Sequence, residues 1–399
     1  MTTNDPVTVL ENIIEQAQTL SADDRRRLLV TAQKLVTTLE PPEEAAFRQI
    51  FQSHTFSFAI RLGAELGFFR VLVKRDGVPI SSVELATECK IEELLLVRVM
   101  RVLTGLGYAA ESGEREYVAT PLSRAMVLPH LEAFMIHSQE NSARVVNRLP
   151  EYFQRYGYKC PTDGANGAYQ FALGTSLSFF DSIHSDPVRA ERFNVSMTGN
   201  KNQRRFWFEW FPVDDHLLKP FHGSSPTPES VFLVDMGGGK GHHLEALLTK
   251  FPAVGGHLIL QDLPRTISSI RETLDSRIQP AVHDIFSPQP VAGALVYYTH
   301  FVLHDFPDDK CQTMLRHVAA AMRPGYSRLL LNEVVIPERD CPLYFACSDI
   351  TMMAVLAGMQ RSRRHWVELV ESAGLAVVKV WESPDFGDME GVIEAMVAN

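Results

Sequence analysis

One stretch of this chain admits few folds: Val231 to Pro264, VFLVDMGGGKGHHLEALLTKFPAVGGHLILQDLP. It opens with a short run of branched and aromatic residues, Val231-Phe232-Leu233-Val234, which reads as a buried strand. Asp235 and Met236 follow, and then Gly237, Gly238, Gly239 and Gly241, which let the backbone turn sharply and approach a ligand closely. His242 to Phe251 reads as a helix with Leu244, Leu247 and Leu248 on one face. A second apolar run, His257 to Leu260, ends in Gln261-Asp262-Leu263-Pro264. Strand, glycine turn, helix and a strand ending in an acid make a nucleotide-binding βαβ unit, in which that acid can accept two hydrogen bonds from a ribose diol. The GGGxG spacing, with Asp235 before it, departs from the dinucleotide GxGxxG and suits a nucleoside with no phosphate to cradle.

The 399 residues are enough for two domains. A formal net charge of −10 argues against a nucleic-acid partner, and the short basic runs Arg25-Arg26-Arg27 and Arg361 to Arg364 read as solvated helix faces. Five cysteines form no CxxC pair, and the N-terminus shows no secretory signal, so a reducing, cytoplasmic location is expected. No stretch of about 18 apolar residues predicts a membrane span. Histidines and cysteines lack ligand spacing, so no metal is expected.

Residues 6–38 read as helical, with Ser21 capping a second helix, and residues 43–73 carry Phe47, Ile50, Phe51, Phe56 and Ile60 at helical spacing. That much apolar surface on an early helix predicts burial against another element or another subunit. Residues 80–127 form a winged-helix pattern: a short helix after Ser81, an amphipathic helix over 91–103, and a hairpin at 108–119. DNA binding is disfavoured because the second helix starts acidic and offers a phosphate only Arg98 and Arg101. The expected role of residues 1–128 is dimerisation. Residues 129–222 are helical and aromatic-rich, and can border a pocket for an apolar, planar small molecule. From 223 to 399, strands at 231–235, 257–261, 278–283, 294–299, 328–334, 375–381 and 391–397 alternate with helices at 242–251, 265–273, 309–322, 344–357 and 363–373. That alternation predicts an α/β fold with a mostly parallel seven-stranded sheet, whose ligands sit beyond the carboxyl ends of its strands.

Chemistry-bearing residues fall at those ends. Asp284 can accept a bond from an adenine amino group while Ile285 packs on the ring. His304, beside Asp305, follows the fourth strand and suits a general base. Glu333 ends the fifth strand, where a carboxylate can orient His304 through its second ring nitrogen and stabilise its charged form.

Together VDMGGGKG (234–241), QDLP (261–264), HDIF (283–286), LHDFPDDKCQTML (303–315) and LLLNEVVIPE (329–338) resemble the class I S-adenosylmethionine-dependent O-methyltransferases of the caffeic-acid and fungal secondary-metabolite type. The winged-helix pattern resembles that family's dimerisation domain. The resemblance implies a Rossmann-like methyltransferase domain, a homodimer, and S-adenosyl-L-methionine as cofactor. It implies cofactor contacts at Asp235, Gly237, Gly239, Asp262, Leu263, Asp284, Ile285 and His300. It also implies His304 as the base that deprotonates a phenol or enol, with Asp305 beside it and Glu333 in support. Phe179, Phe180, Met197, Asn200 and Met353 are implied as substrate contacts by family position.

Three positions depart from the family. The residue before Arg361-Ser362, often a second glutamate, is Gln360, which can orient an imidazole but cannot stabilise its charge. The lysine or arginine four residues before the base is His300, and Phe306 replaces a tryptophan. These departures keep open an alternative in which the cofactor is bound but not consumed and steers a dehydration or pericyclic reaction. There His137 and His300 become acid or hydrogen-bond donors to the substrate; otherwise His137 is an ordinary helix residue.

Overall fold

The structure, a computed structural model, describes residues 5–17, 19–202, 205–227, 229–270, 274–385 and 387–398, without side chains at 198–202. The chain forms two compact units, residues 1–128 with 384–388, and residues 129–383 with 389–399.

In the first unit, helices Pro6–Gln16 and Ala22–Leu39 take up the expected helical stretch, and the Asp24 N–H donates to the Ser21 hydroxyl at 3.1 Å. The 43–73 pattern is two helices, Pro42–Glu65 and Phe68–Lys74, because Gly67 turns the chain at φ 78°. Gly63 has a packing reason: a Cβ there would lie 2.9 Å from the Phe69 ring. The winged-helix reading holds. Strands β1 (Ile80–Ser81), β2 (Ala110–Gly113) and β3 (Glu116–Val118) form a sheet in the order β1-β3-β2. Ser81 and Glu84 close a capping box on helix Ser82–Cys89, and helix Glu93–Gly105 buries Leu96, Val97, Val99, Met100 and Leu103. Phe47, Ile50 and Phe51 on helix Pro42–Glu65 lie more than 70% exposed, at 76%, 73% and 71%.

The second unit is built on strands β4 (Val231–Met236), β5 (His257–Asp262), β6 (Ile278–Val282), β7 (Val296–His300), β8 (Arg328–Ile336), β9 (Arg361–Ser362), β10 (Leu375–Glu382) and β11 (Glu390–Val397). The order β10-β11-β8-β7-β4-β5-β6 carries the seven expected strands, and β9 adds a two-residue parallel pairing on β8. Two residues are too few to show an alternating pattern, so β9 leaves no trace in the sequence. Pairings among β4 to β8 are parallel, and β11 lies antiparallel between β8 and β10. One face of the sheet packs Leu303, Cys311, Met314, Leu315, Trp366 and Leu369, and the other packs Trp207, Phe208, Phe211, Leu244, Leu247 and Leu248. Burial on both faces explains why β4, β5 and β7 read as continuous apolar runs. The expected helix at 265–273 is observed as Pro264–Ser269, and residues 271–273 lie outside the described ones. Strand order reverses at β4, whose neighbours are β5 and β7, so a crevice is expected beyond the ends of β4 and β7. No helix among the described residues is long and apolar enough to cross a membrane.

Candidate active site

The glycine turn leaves β4 with Gly237 at φ 76° and Gly239 at φ 63°. Asp235 is 1% exposed and lies beneath Gly238, where an added Cβ would meet its carboxylate at 2.5 Å. Asp235 therefore shapes the turn from below. A Cβ at Gly239 would meet nothing within 4 Å, so the turn leaves open space above it. Asp262 at the end of β5 binds the turn across the strands: Oδ2 accepts from the Gly239 N–H at 2.9 Å, and Oδ1 from the Leu263 N–H at 2.7 Å. Each oxygen keeps a lone pair for a further donor. Leu263 is 41% exposed beside it. After β6, Asp284 is exposed and accepts from the Phe286 N–H at 3.0 Å, while Ile285 packs against the core. Open backbone, a carboxylate with spare lone pairs, and the apolar Leu263 and Ile285 fit the ribose and base of a nucleoside.

His304 sits on the turn after β7. Phe301 begins that turn at φ 52°, a left-handed value rare outside glycine, and its ring stacks on His300 at 4.1 Å and on His304 at 5.4 Å. Glu333, fully buried, holds the turn: Oε1 accepts from the Val302 and Leu303 N–H groups at 3.0 and 2.8 Å. Its Oε2 lies 3.8 Å from His304 Nδ1, beyond a hydrogen bond. The His304 side chain keeps 16% exposure, and Nε2 lies 3.3 Å from Asp305 Oδ1. Burial, aided by the nearby Arg361 charge and opposed by the Gln360 contact, holds His304 down at about 4. Burial pushes Glu333 up to about 7, against its two backbone bonds, and raises Asp305 well above the carboxylate range. A Cβ at Gly237 would lie 2.8 Å from Val302, so the glycine turn and the His304 turn are in direct contact.

The Gln360 side-chain nitrogen lies 3.4 Å from His304 Nδ1 and 3.3 Å from Ser348 Oγ, while its Oε1 is buried with no hydrogen-bond partner. An Nε2 lone pair on His304 requires the proton on Nδ1. Turning the Gln360 amide over gives that Nδ1–H an acceptor, and amide oxygen and nitrogen are distinguished only by such networks. The backbone here is clamped twice. The Met359 N–H donates to the His304 carbonyl at 2.9 Å, and a Cβ at Gly358 would lie 2.1 Å from that oxygen.

Arg361 corrects the sequence reading of its run as a solvated face. It is 0% exposed and donates to the Leu303 carbonyl at 3.0 Å, the Phe306 carbonyl at 2.8 Å and Asp308 Oδ1 at 2.9 Å. It is placed inward by β9, the element the sequence did not reveal. His300 ends β7 with its ring 4.3 Å from His243 and its Nε2 3.7 Å from Glu390. Beneath them Tyr298 donates to Asn332 at 2.9 Å, and Asn332 donates to Glu390 at 2.8 Å. His243, Tyr298 and Glu390 lie outside the quoted motifs and Asn332 inside one, and only the sheet brings the four together.

The implied substrate residues divide. Phe179 is buried, Phe180 and Met353 pack in the same apolar cluster, and His137 lies 6.1 Å from Phe179 and 5.2 Å from Phe193. Met197 is half-buried on helix Pro187–Asn202, and the side chain of Asn200 lies outside the described residues. Helix Leu343–Leu356, which carries Met353, packs against both the Gln139–Ala143 segment and the His304 turn. Gln360 belongs to the His304 group rather than to the aromatic cluster.

Comparison with known proteins adds the following. Residues 162–376 match the model of an O-methyltransferase domain, and residues 48–129 that of an O-methyltransferase dimerisation domain. The chain is 35% identical to the O-methyltransferase penC of Penicillium thymicola over 373 residues, 93% of this chain and 91% of that protein. Among solved structures, LepI in complex with SAM superposes with a TM-score of 0.88 at 28% identity, covering 100% of both chains. A structure described as a pericyclic reaction enzyme superposes at 0.87 and 28% identity, covering 98% of this chain and 99% of that one.

Proposed function

Because this chain belongs to the O-methyltransferase family, we propose that it uses S-adenosyl-L-methionine to methylate a phenolic or enolic hydroxyl of a small, apolar, planar secondary metabolite, with His304 as general base. The observation that carries this is the contact between the glycine turn at Gly237 and the His304 turn at Val302. It puts a nucleoside cradle and a neutral imidazole beside each other at the ends of β4 and β7. Residues 1–128 form a homodimer, residues 129–222 border the substrate, and residues 223–399 hold the cofactor.

Asp262 takes the ribose hydroxyls, Gly237 and Gly239 let the backbone approach, and Leu263, Asp284 and Ile285 receive the adenine. When bound, the cofactor supplies a methyl group made electrophilic by its sulfonium. His304 Nε2 takes the hydroxyl proton, and the resulting oxygen is aligned by the turn that Glu333 and Arg361 hold. The imidazolium formed has Asp305 Oδ1 3.3 Å from Nε2 and Glu333 Oε2 3.8 Å from Nδ1, and the Gln360 carbonyl, once its amide is turned, orients the ring. Holding the reacting groups in line accounts for the rest of the rate.

A second reading has a specific observation behind it. The His304 site is poor in stabilising charge, with an amide at Gln360 and an imidazole held at about 4. A pericyclic or dehydration step steered by an unconsumed cofactor asks for no such charge. The likeness to LepI and to the pericyclic reaction enzyme runs over the whole chain. Mass spectrometry with methyl-labelled S-adenosylmethionine and a panel of phenols and enols separates the two. Labelled product formed in step with S-adenosylhomocysteine is expected. Product of unchanged mass, or lighter by water, with the cofactor intact overturns methyl transfer.

A further inference from the structure

Gln261 is polar where the sheet asks for an apolar side chain. Side chains alternate along β5, so Gln261 shares a face with Ile259, and its register neighbours are Met236 on β4 and Ala281 on β6. Gln261 is 1% exposed, and Gln289, from the loop after β6, is 9% exposed. The two amides bond each other reciprocally. Gln261 Nε2 donates to Gln289 Oε1, and Gln289 Nε2 to Gln261 Oε1, both at 2.9 Å. Their orientation is fixed by a third group. The Val291 N–H only donates, so the Gln289 atom 3.1 Å from it is Oε1. Gln289 Nε2 must then face Gln261 Oε1, and the pair has one arrangement. A buried amide pair adds little net stability over two apolar side chains of the same shape, so its directionality needs another reason.

That reason lies in what Gln261 joins. Its carbonyl accepts from the Gly237 and Gly238 N–H groups at 2.8 and 3.2 Å, so it holds the glycine turn. Asp262, the next residue, holds Gly239 and Leu263 through its carboxylate. The Asp262 carbonyl accepts from the His283 N–H at 3.0 Å. Residues 284–288 therefore form a strap tied at both ends to consecutive residues of β5. One tie runs from His283 to the Asp262 backbone, the other from Gln289 to the Gln261 side chain. Asp284 and Ile285 stand on that strap. Within it the Ser287 N–H donates to the Asp284 carbonyl at 2.8 Å and the Phe286 N–H to Asp284 Oδ1 at 3.0 Å, so a shift at Gln289 carries through to Asp284. We propose that the Gln261–Gln289 pair positions Asp284 and Ile285 against the adenine and so sets the selectivity for the cofactor's base. The proposal rests on the reading of Asp284 and Ile285 as the adenine's contacts. Gln261 and Gln289 are positioning residues in it, since they act through the strap. Cutting the strap loose at Gln289 leaves the glycine turn and Asp262 tied to each other, so the loss falls on the base rather than the ribose.

Calorimetry tests this by comparing S-adenosylhomocysteine with its purine analogue, which differs only in lacking the amino group of the base. The unaltered protein is expected to prefer the first about 10-fold, the worth of one hydrogen bond to a carboxylate. Gln289→Met alone leaves the Gln261 amide buried and unpaired, which confounds folding with positioning. The double variant Gln261→Met with Gln289→Met removes both amides and orphans neither. Its preference is expected to fall to about 3-fold or less, with the purine analogue bound as tightly as by the unaltered protein. Gln289→Asn, one methylene short and still an amide, is the milder cut and is expected to lower the preference in the same direction. Chemical denaturation identifies which variants are folded. An undiminished preference in a folded variant overturns the proposal, and so does an equal weakening toward both ligands. If the unaltered protein binds both ligands equally, Asp284 is not the adenine's partner and the proposal falls with that assignment. If it binds neither, the cofactor reading itself falls.

Discussion

His137 and His304 each sit against a side-chain amide, and the two amides behave differently. At His137, Asn141 is pinned by Arg189 on one side and a backbone carbonyl on the other, so its orientation and the ring's tautomer follow from geometry. At His304, Gln360 has weak partners at 3.3 and 3.4 Å and a buried oxygen with none. One ring is fixed as a donor. The other can have its amide turned so that Nε2 becomes basic. Burial holds both imidazoles neutral at about 4, so position and tautomer, not charge, separate their roles. A locked amide suits recognition, which repeats unchanged, and a free amide suits a ring that must gain and lose a proton.

The comparison breaks most sharply at Arg361. Arg361→Met strips the Leu303 and Phe306 carbonyls and Asp308 of a buried partner, which should cost roughly 3 kcal/mol of stability. The remaining folded protein should lose methyl transfer by about two orders of magnitude, as the base turn is misplaced. The nitrogen-15 signals of His137 should stay where they are. Denaturant unfolding and single-turnover assays check this, and a shifted His137 signal would show the two sites to be coupled.

Gln360→Glu sharpens the contrast. A carboxylate beside Nδ1 raises the His304 value from about 4 toward neutrality, and methyl transfer at pH 7.5 should rise about 5- to 10-fold. Steady-state rates and a histidine titration of the variant read both effects. An unchanged rate with a raised titration midpoint means that proton removal does not limit turnover.

A further effect is on acid stability. An unfolded histidine binds its proton near pH 6.5, whereas both buried rings hold off until about 4. The unfolded state therefore binds more protons across that window, and stability falls as pH drops from about 6.5 toward 4. Each ring adds at most about 1.4 kcal/mol per pH unit. Chemical denaturation between pH 4 and 7 should show a shallower slope in His304→Asn, and an unchanged slope contradicts the burial argument.

Much of this was legible before any coordinates. The order of strands and helices from Val231 onward follows from apolar runs punctuated by glycine, and a sheet covered on both faces leaves that signature. The winged helix showed in its capping serine and its amphipathic second helix. His304 and Glu333 were legible as residues at strand ends, but not that Glu333 gives one oxygen to backbone N–H groups. Arg361 was misread because a basic run looks solvated until the two-residue β9 turns its first member inward. Asn141 and Arg189, 48 residues apart, leave no spacing signal, since their meeting depends on how helix Pro187–Asn202 packs on the Gln139–Ala143 segment.

The most direct test of the central claim is the single-turnover rate of methyl transfer in His304→Gln at saturating S-adenosylmethionine, with cofactor affinity measured in parallel. The account predicts a fall of about 10²- to 10⁴-fold with cofactor affinity unchanged, as expected for loss of a general base. A rate within a few-fold of the unaltered protein would remove His304 from the chemistry and contradict the account.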